Sequence, residues 1–343
     1  MALQTKKLFN PNGDDTKQNK KIIGGDTTNI QDFGDPKYQV FMDIYDLMLN
    51  SFWQPKEVRL QEDVRLYQNL GKEKKETFDK MISFLVFLDS LQVNNIPNLN
   101  NYITMSEVNL CLVSQAFDEA IHSQSYSYIL DSIVEKNRRS EVLNQWRDNE
   151  YLLKRNKYIG NIYNQFSEYP TTHNLIRVLF GNYVLESIYF YSNFAFFYHL
   201  QRLGETNGVS QIIRMINRDE LNHVVLFQNI INIVKEEQKE FFTEEFVDEL
   251  REIIVEGVRQ EQDWARYSIG NHIEGLNCED VCDYITYLGN IRLKDIGLEP
   301  ISNNFENPLP WIDDISQNSS VFTDFFEGRV TSYGKISSFT DDL

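Results

Sequence analysis

Ala116-Phe117-Asp118-Glu119-Ala120-Ile121-His122-Ser123-Gln124-Ser125-Tyr126 and its later counterpart Arg218-Asp219-Glu220-Leu221-Asn222-His223 decide the fold of this 343-residue chain. Each carries a Glu and a His three apart, a spacing that on a helix sets both side chains on one face, one turn from each other. Two such faces, opposed, make a nitrogen and oxygen metal site. With 51 acidic residues and 5 histidines in the chain, random placement gives roughly 0.7 acid-x-x-His pairs, so one pair alone would mean little. The surroundings carry the meaning.

Two further carboxylates lie inside apolar runs. Asp89 follows Phe84-Leu85-Val86-Phe87-Leu88, and Glu186 sits between Val184-Leu185 and Ile188. An isolated ionised carboxylate there is costly unless it is paired or binds a metal. The order is regular: Asp89 and, 30 residues on, Glu119 with His122; Glu186 and, 34 residues on, Glu220 with His223. Each half gives one carboxylate and, a helix hairpin later, a Glu-x-x-His. That is the ligand plan of a dinuclear carboxylate site in a four-helix bundle. Four carboxylates balance two divalent ions, and a set without thiolate suits Fe or Mn and disfavours a structural zinc. Ordinary core histidines and paired buried acids would explain any one of the six positions, but not all six in this order.

The remaining composition is consistent with a helical, intracellular protein. A net charge of −18 argues against nucleic acid as a direct ligand, since phosphate binding needs clustered Lys and Arg. Lys72, Lys74 and Lys75 alternate with Glu73 and Glu76, which reads as a solvated helix face. Cys111, Cys278 and Cys282 form no Cys-x-x-Cys pair and leave an odd thiol, which suits a reducing cytoplasm. The polar start is no signal peptide. Residues 178–200 are long and aromatic enough to suggest a membrane span. Glu186 in their middle and the lack of a second span favour the centre of a large bundle instead.

Periodicity places helices at 38–49, 73–93, 141–164, 210–237, 243–267 and 279–293, with one long aromatic helix from Pro170 to Leu200. Thr104-Met105-Ser106-Glu107 has the form of a capping box opening the helix of Glu119 and His122. Asn277 is the expected cap of the helix that follows it. Residues 1–36 are rich in turn signals and read as an extended arm, 37–311 as one helical domain, and 312–343 as a flexible tail.

Phe87-Leu88-Asp89-Ser90-Leu91-Gln92, the stretch from Glu119 to Tyr126, Leu185-Glu186-Ser187-Ile188-Tyr189-Phe190 and the stretch from Arg218 to His223 together resemble the small, radical-generating subunit of class I ribonucleotide reductase. The resemblance runs from Lys37 to the C-terminus. It implies an all-α, ferritin-like bundle in which Asp89, Glu119, His122, Glu186, Glu220 and His223 hold two metals. It also implies that Tyr126 is oxidised to a stable tyrosyl radical when the reduced dimetal site reacts with oxygen. Phe190, Phe194 and Ile216 match the family's apolar pocket around the radical. Trp53 matches the tryptophan that relays an electron and proton together with Asp219 and His122.

At the other end of the chain, Tyr333 resembles the tail tyrosine that passes the radical between subunits, and 337–343 the peptide that docks on the large catalytic subunit. All six ligand types are present, so variants that work without metal are not indicated. Tyr126 also disfavours the variants with Phe there and a mixed Mn/Fe cofactor. Two iron ions or a Mn/Mn pair remain, the latter needing a flavodoxin-like activator. The expected assembly is a homodimer in the cytoplasm, delivering the radical to a partner that reduces ribonucleotides to deoxyribonucleotides. The rival is another ferritin-like dimetal oxidase or hydroxylase. Asp89 where such relatives carry Glu, with Tyr126 and Tyr333, argues against it.

Overall fold

Helix follows helix because apolar runs of three or more turns alternate with Gly, Pro and Asn breaks. The computed structural model describes residues 2–316. Among them are twelve α-helices and no strand ladder, only the isolated bridges Ala2↔Thr171 and Ile23↔Ile103. In order these are α1 (Gln39–Asn50), α2 (Gln61–Asn69), α3 (Lys72–Asn100), α4 (Ser106–Ile133), α5 (Arg139–Asn144) and α6 (Glu150–Glu168). There follow α7 (Thr172–Ser187), α8 (Tyr191–Arg202), α9 (Asn207–Glu237), α10 (Glu244–Ser268), α11 (Cys278–Asp295) and α12 (Pro310–Ser316). The expected tail residue Tyr333 and the segment 337–343 lie outside the described residues.

The site is built by two hairpin-like pairs. α3 packs along α4 and α7 along α9, and α4 meets α9 between them. Asp89 thus comes from α3, Glu119 and His122 from α4, Glu186 from α7, and Glu220 and His223 from α9. Outside this core α10 lies on α7, close enough that a Cβ at Gly257 would run into the Val184 side chain. Only hydrogen at that position lets the two backbones approach.

Several local expectations give way to tertiary contacts. The helix of Glu119 has no capping box: Met105 stands at the cap, and Thr104 Oγ1 instead donates to the Lys21 carbonyl at 2.7 Å and accepts from Gly25 N–H at 2.9 Å. Glu107 accepts from the Lys37 N–H at 2.7 Å. The arm has taken the capping groups. The arm also buries Ile22 and Ile23, and its Lys6 Nζ donates to Asn109 Oδ1 at 2.6 Å.

The single aromatic helix expected over 170–200 is two. α7 starts at Thr172, so Pro170 lies before its first turn and not in it; Thr171 caps the helix through its side chain, and α7 ends one residue after Glu186. The chain then passes residues 188–190, where Tyr189 N–H bonds back to Val184 O at 3.3 Å, a five-residue step of π type. α8 resumes at Tyr191. Likewise 141–164 is broken into α5, a short 3₁₀ turn and α6, which Asn149 caps with bonds to Tyr151 N–H and Leu152 N–H. Conversely α3 runs past 93 and through Pro97 to Asn100. Thr243 and Asn277 cap α10 and α11 through their side chains. No helix among the described residues is long and apolar enough to cross a membrane.

Candidate metal centre

All six expected ligand residues are fully buried and converge. His122 Nδ1 lies 3.2 Å from Glu220 Oε1, 3.7 Å from Glu119 Oε2 and 3.8 Å from Asp89 Oδ2. His223 Nδ1 lies 3.0 Å from Glu220 Oε2 and 3.4 Å from both Glu119 Oε1 and Glu186 Oε2. The donors fall into two overlapping sets, Asp89, Glu119, His122 and Glu220, and Glu119, Glu186, Glu220 and His223. Glu119 and Glu220 belong to both, the geometry of two neighbouring cation sites that share two carboxylates.

The donor chemistry fits two cations. Both oxygens of Asp89 and Glu119, with Glu186 Oε2 and Glu220 Oε1, are buried and accept no hydrogen bond. Native interiors rarely leave such groups unsatisfied. Even two imidazolium rings could balance only two of the four negative charges. The strain shows in the proton affinities. Burial, and then the Glu119 charge, hold the Asp89 carboxyl well above the usual carboxylate range. Burial and Glu220 raise Glu119, and burial and Glu186 push Glu220 up to about 7. Burial would lower both imidazoles, but the facing carboxylates of Asp219, Glu119 and Glu220 raise His122 well above its ordinary value, and those of Asp118, Glu186 and Glu220 do the same for His223. A site that attracts protons so strongly attracts divalent ions for the same reason.

Each histidine turns Nδ1 to the cluster and Nε2 to a carboxylate behind it. His122 Nε2 is 3.3 Å from Asp219 Oδ2, which also accepts from Trp53 Nε1 at 2.6 Å. Arg218 donates to the other Asp219 oxygen, at 3.2 Å from Nε and 3.1 Å from Nη2. His223 Nε2 is 3.4 Å from Asp118 Oδ2. Backing carboxylates of this kind orient a metal-binding imidazole and fix its tautomer. The motif reading passed over Asp118, although it directly precedes Glu119 as Asp219 precedes Glu220.

It also passed over three amide and phenol side chains behind Glu186. Gln92 and Gln115 both donate to Glu186 Oε1, the second at 2.8 Å, and Tyr163 OH donates to Gln92 Oε1 at 2.9 Å. Tyr126 is fully buried and its hydroxyl has no hydrogen-bond partner. Burial and the Asp89 and Glu220 charges raise its pKa well above the ordinary phenol value. Phe190, Phe194 and Ile216 are fully buried, and the two phenylalanine rings stack with centroids 5.9 Å apart. A separate group, Cys278, Glu279 and Cys282, gathers at the start of α11, with Glu279 paired to Arg266 at 3.2 Å.

The family described as ribonucleotide reductase, small chain, matches residues 31–308. The beta subunit of ribonucleoside-diphosphate reductase from Treponema pallidum (strain Nichols) is 46% identical, over 99% of this chain and 98% of the relative. That of Halalkalibacterium halodurans is 34% identical, over 98% and 97%. Among solved structures, the ribonucleotide reductase R2 subunit from Clostridium botulinum superposes with a TM-score of 0.89 at 45% identity, covering 92% of this chain and 99% of that one. Dimanganese(II)-NrdF of Streptococcus sanguinis shares the fold, with a TM-score of 0.69 at 21% identity over 83% of this chain and 98% of that one. By sequence over its whole length and by its helical architecture, the chain belongs to the ribonucleotide reductase small-chain family, the beta subunit of ribonucleoside-diphosphate reductase.

Proposed function

We propose that this small subunit makes and stores a tyrosyl radical on Tyr126 and passes it to the large subunit for the reduction of ribonucleotides. The observation that carries this is the pairing of a fully buried Tyr126, its hydroxyl without a partner, with six buried metal-type donors next to it. Asp89, Glu119, His122, Glu186, Glu220 and His223 would hold two metal ions, iron first and a manganese pair as the alternative. When bound, the ions would react with oxygen and supply the oxidising power that removes one electron from Tyr126.

The residues around the centre have the complementary tasks. Asp89, whose charge acts most strongly on the Tyr126 hydroxyl, is the base that would take the phenolic proton Tyr126 must give up. Phe190, Phe194 and Ile216 keep water and reductants from the phenoxyl ring. Trp53 passes the electron between surface and centre, with Asp219 holding the indole N–H and facing His122 on its other side. As a small subunit the protein pairs with the large one, and contact through 337–343 with Tyr333 as the last redox residue is part of this proposal. A manganese form would need a flavodoxin-like activator.

A homodimer is supported by an exposed apolar face on α1, the turn after it and α4. Leu49, Phe52, Val113 and Phe117 are each more than half exposed there, and Phe52 stacks on Phe117 at 6.0 Å. Such a contiguous patch is characteristic of an association surface. The place of action is the cytoplasm, in keeping with three free thiols.

Electron paramagnetic resonance tests the core of the proposal. Metal-free protein is loaded anaerobically with Fe(II) and then exposed to air. A tyrosyl signal that is absent in Tyr126→Phe supports it. Silence with both Fe(II) and Mn(II) plus an activating flavoprotein would transfer belief to a dimetal oxidase. Removal of 337–343 should abolish reductase activity and leave the radical signal intact.

A further inference from the structure

Among the four clustered carboxylates Glu186 is held differently. Asp89 and Glu119 have no hydrogen-bond donor on either oxygen, and Glu220 faces only the two cluster histidines, His223 Nδ1 at 3.0 Å from Oε2 and His122 Nδ1 at 3.2 Å from Oε1. Glu186 receives two amide N–H donors on one oxygen, from Gln92 on α3 and Gln115 on α4, while its Oε2 stays buried and unpartnered, 3.4 Å from His223 Nδ1. Both glutamines are fully buried.

The sense of the Gln92 amide is fixed from behind. Gln92 turns its amino group to Glu186 Oε1, which leaves its Oε1 facing α6, where the Tyr163 hydroxyl places its single proton on it at 2.9 Å. Asn182 Oδ1, at 3.2 Å, is the more distant of the two acceptors that face the Tyr163 hydroxyl. Asn182 in turn cannot flip, because its Nδ2 donates to Val178 O at 2.8 Å and its Oδ1 accepts from Asn95 at 3.3 Å. Four helices thereby fix one carboxylate oxygen.

We propose that Gln92 and Gln115 are positioning residues that restrict Glu186 to binding the second metal through Oε2 alone, with Tyr163 fixing the orientation of the Gln92 amide. This rests on the dimetal reading above. Two amide donors occupy the lone pairs of Oε1, so chelation through both oxygens would break hydrogen bonds whose loss leaves buried groups unsatisfied. Asp89 and Glu119 carry no such restraint and are free to change how many oxygens they offer. The two metal positions therefore differ in freedom although their ligand types match.

Co(II) reports both occupancy and coordination number, since its visible absorption weakens as coordination number rises. Metal-free full-length protein is titrated anaerobically with Co(II), alongside Gln92→Met, Gln115→Met, the double variant and Tyr163→Phe. Methionine keeps the volume and removes the donors. Two ions are expected in wild type and in both single variants. One of the two should bind about 10-fold more weakly in each single variant, within the range measured for lost outer partners of metal ligands. The double variant should lose about 100-fold at that position, with a fall in absorption per ion as Glu186 chelates, and the other ion should be unchanged. Tyr163→Phe should shift the same ion by less than Gln92→Met.

Wild-type affinities and spectra in the single and double variants would overturn the positioning role while leaving the dimetal reading intact. Fewer than two ions in wild type would overturn the dimetal reading itself. Circular dichroism establishes that each variant is folded. If the double variant fails that check, the two single variants decide the question by the same criteria.

Discussion

Trp53 Nε1 donates to Asp219 Oδ2 at 2.6 Å, and the two residues stand 166 apart in sequence. The turn between α1 and α2 has been brought against the middle of α9, and the indole ring lies 6.5 Å from the His122 ring, centroid to centroid. On the proposed function, this contact would separate radical storage from radical delivery. Trp53→Phe should keep both metal sites and the stored Tyr126 signal, because it removes no ligand. Turnover with the large subunit should fall by about 100-fold or more, the scale on which loss of one preorganised donor acts. Normal turnover in that variant would remove Trp53 from the relay.

Asp118 and Asp219 each back one of the two histidines, yet of the pair only Asp219 also accepts from an indole N–H. Asp118→Ala should weaken one metal position by about 10- to 100-fold through a freed His223 ring. Asp118→Asn, which can still meet the ring nitrogen, should lose less. Anaerobic Mn(II) titration followed by electron paramagnetic resonance measures both. Equal affinities in all three proteins would show that His223 needs no support from Asp118.

Protons and metal ions compete for the same oxygens. Glu220 keeps its proton up to about pH 7 and the buried Asp89 carboxyl is also held well above its ordinary range, so ion binding must expel protons and Mn(II) affinity should climb from about pH 6 to about pH 8. Without metal the effect on stability has the opposite sign. The folded chain retains carboxyl protons that the unfolded chain releases near pH 4, and the raised histidines act in the same direction. Stability of the metal-free protein should therefore fall as pH rises from about 4 to 7. Calorimetry in buffers of different ionisation enthalpy, with urea unfolding at each pH, tests both; a flat profile in either would contradict the proton bookkeeping.

Arg155 and Glu261 form a fully buried ion pair behind the break that follows Glu186. The guanidinium lies 3.8 Å from the Phe84 ring centroid and 4.4 Å from that of Tyr189, and it donates to Tyr189 O at 3.0 Å. Glu261→Ala leaves that charge uncompensated and should cost about 3–5 kcal/mol in urea unfolding. Arg155→Met combined with Glu261→Leu should recover most of the loss. A double variant no more stable than Glu261→Ala would mean that the pair, beyond its charge balance, is required to hold the break.

What the sequence disclosed depended on how local the cause was. Asp89, Glu119, His122, Glu186, Glu220 and His223 could be picked out because helical periodicity makes polar residues in apolar runs conspicuous. The Asn277 cap was legible for a similar reason, since a cap is satisfied within its own turn. Thr104 misled because an arm 80 residues earlier uses its hydroxyl. The break at 188–190 was hidden, as no Gly or Pro marks it and the freed Tyr189 carbonyl is satisfied by Arg155 from α6. Gln92, Gln115 and Tyr163 gave no signal at all, because their roles exist only once α3, α4, α6 and α7 are assembled around Glu186. Asp118 was the exception that could have been found, by comparing it with Asp219 in the paired motif.

The ligands of the centre are nearly interchangeable between its halves, but the material behind them is not. One histidine is backed by a carboxylate with an indole on it, the other by a carboxylate alone. This gives a nearly two-fold object a front and a back, so on the proposed relay the direction of travel would be set by the surroundings and not by the metal-binding groups. Direction would then be open to change, in evolution or by design, at residue 53 without disturbing any of the six candidate ligands.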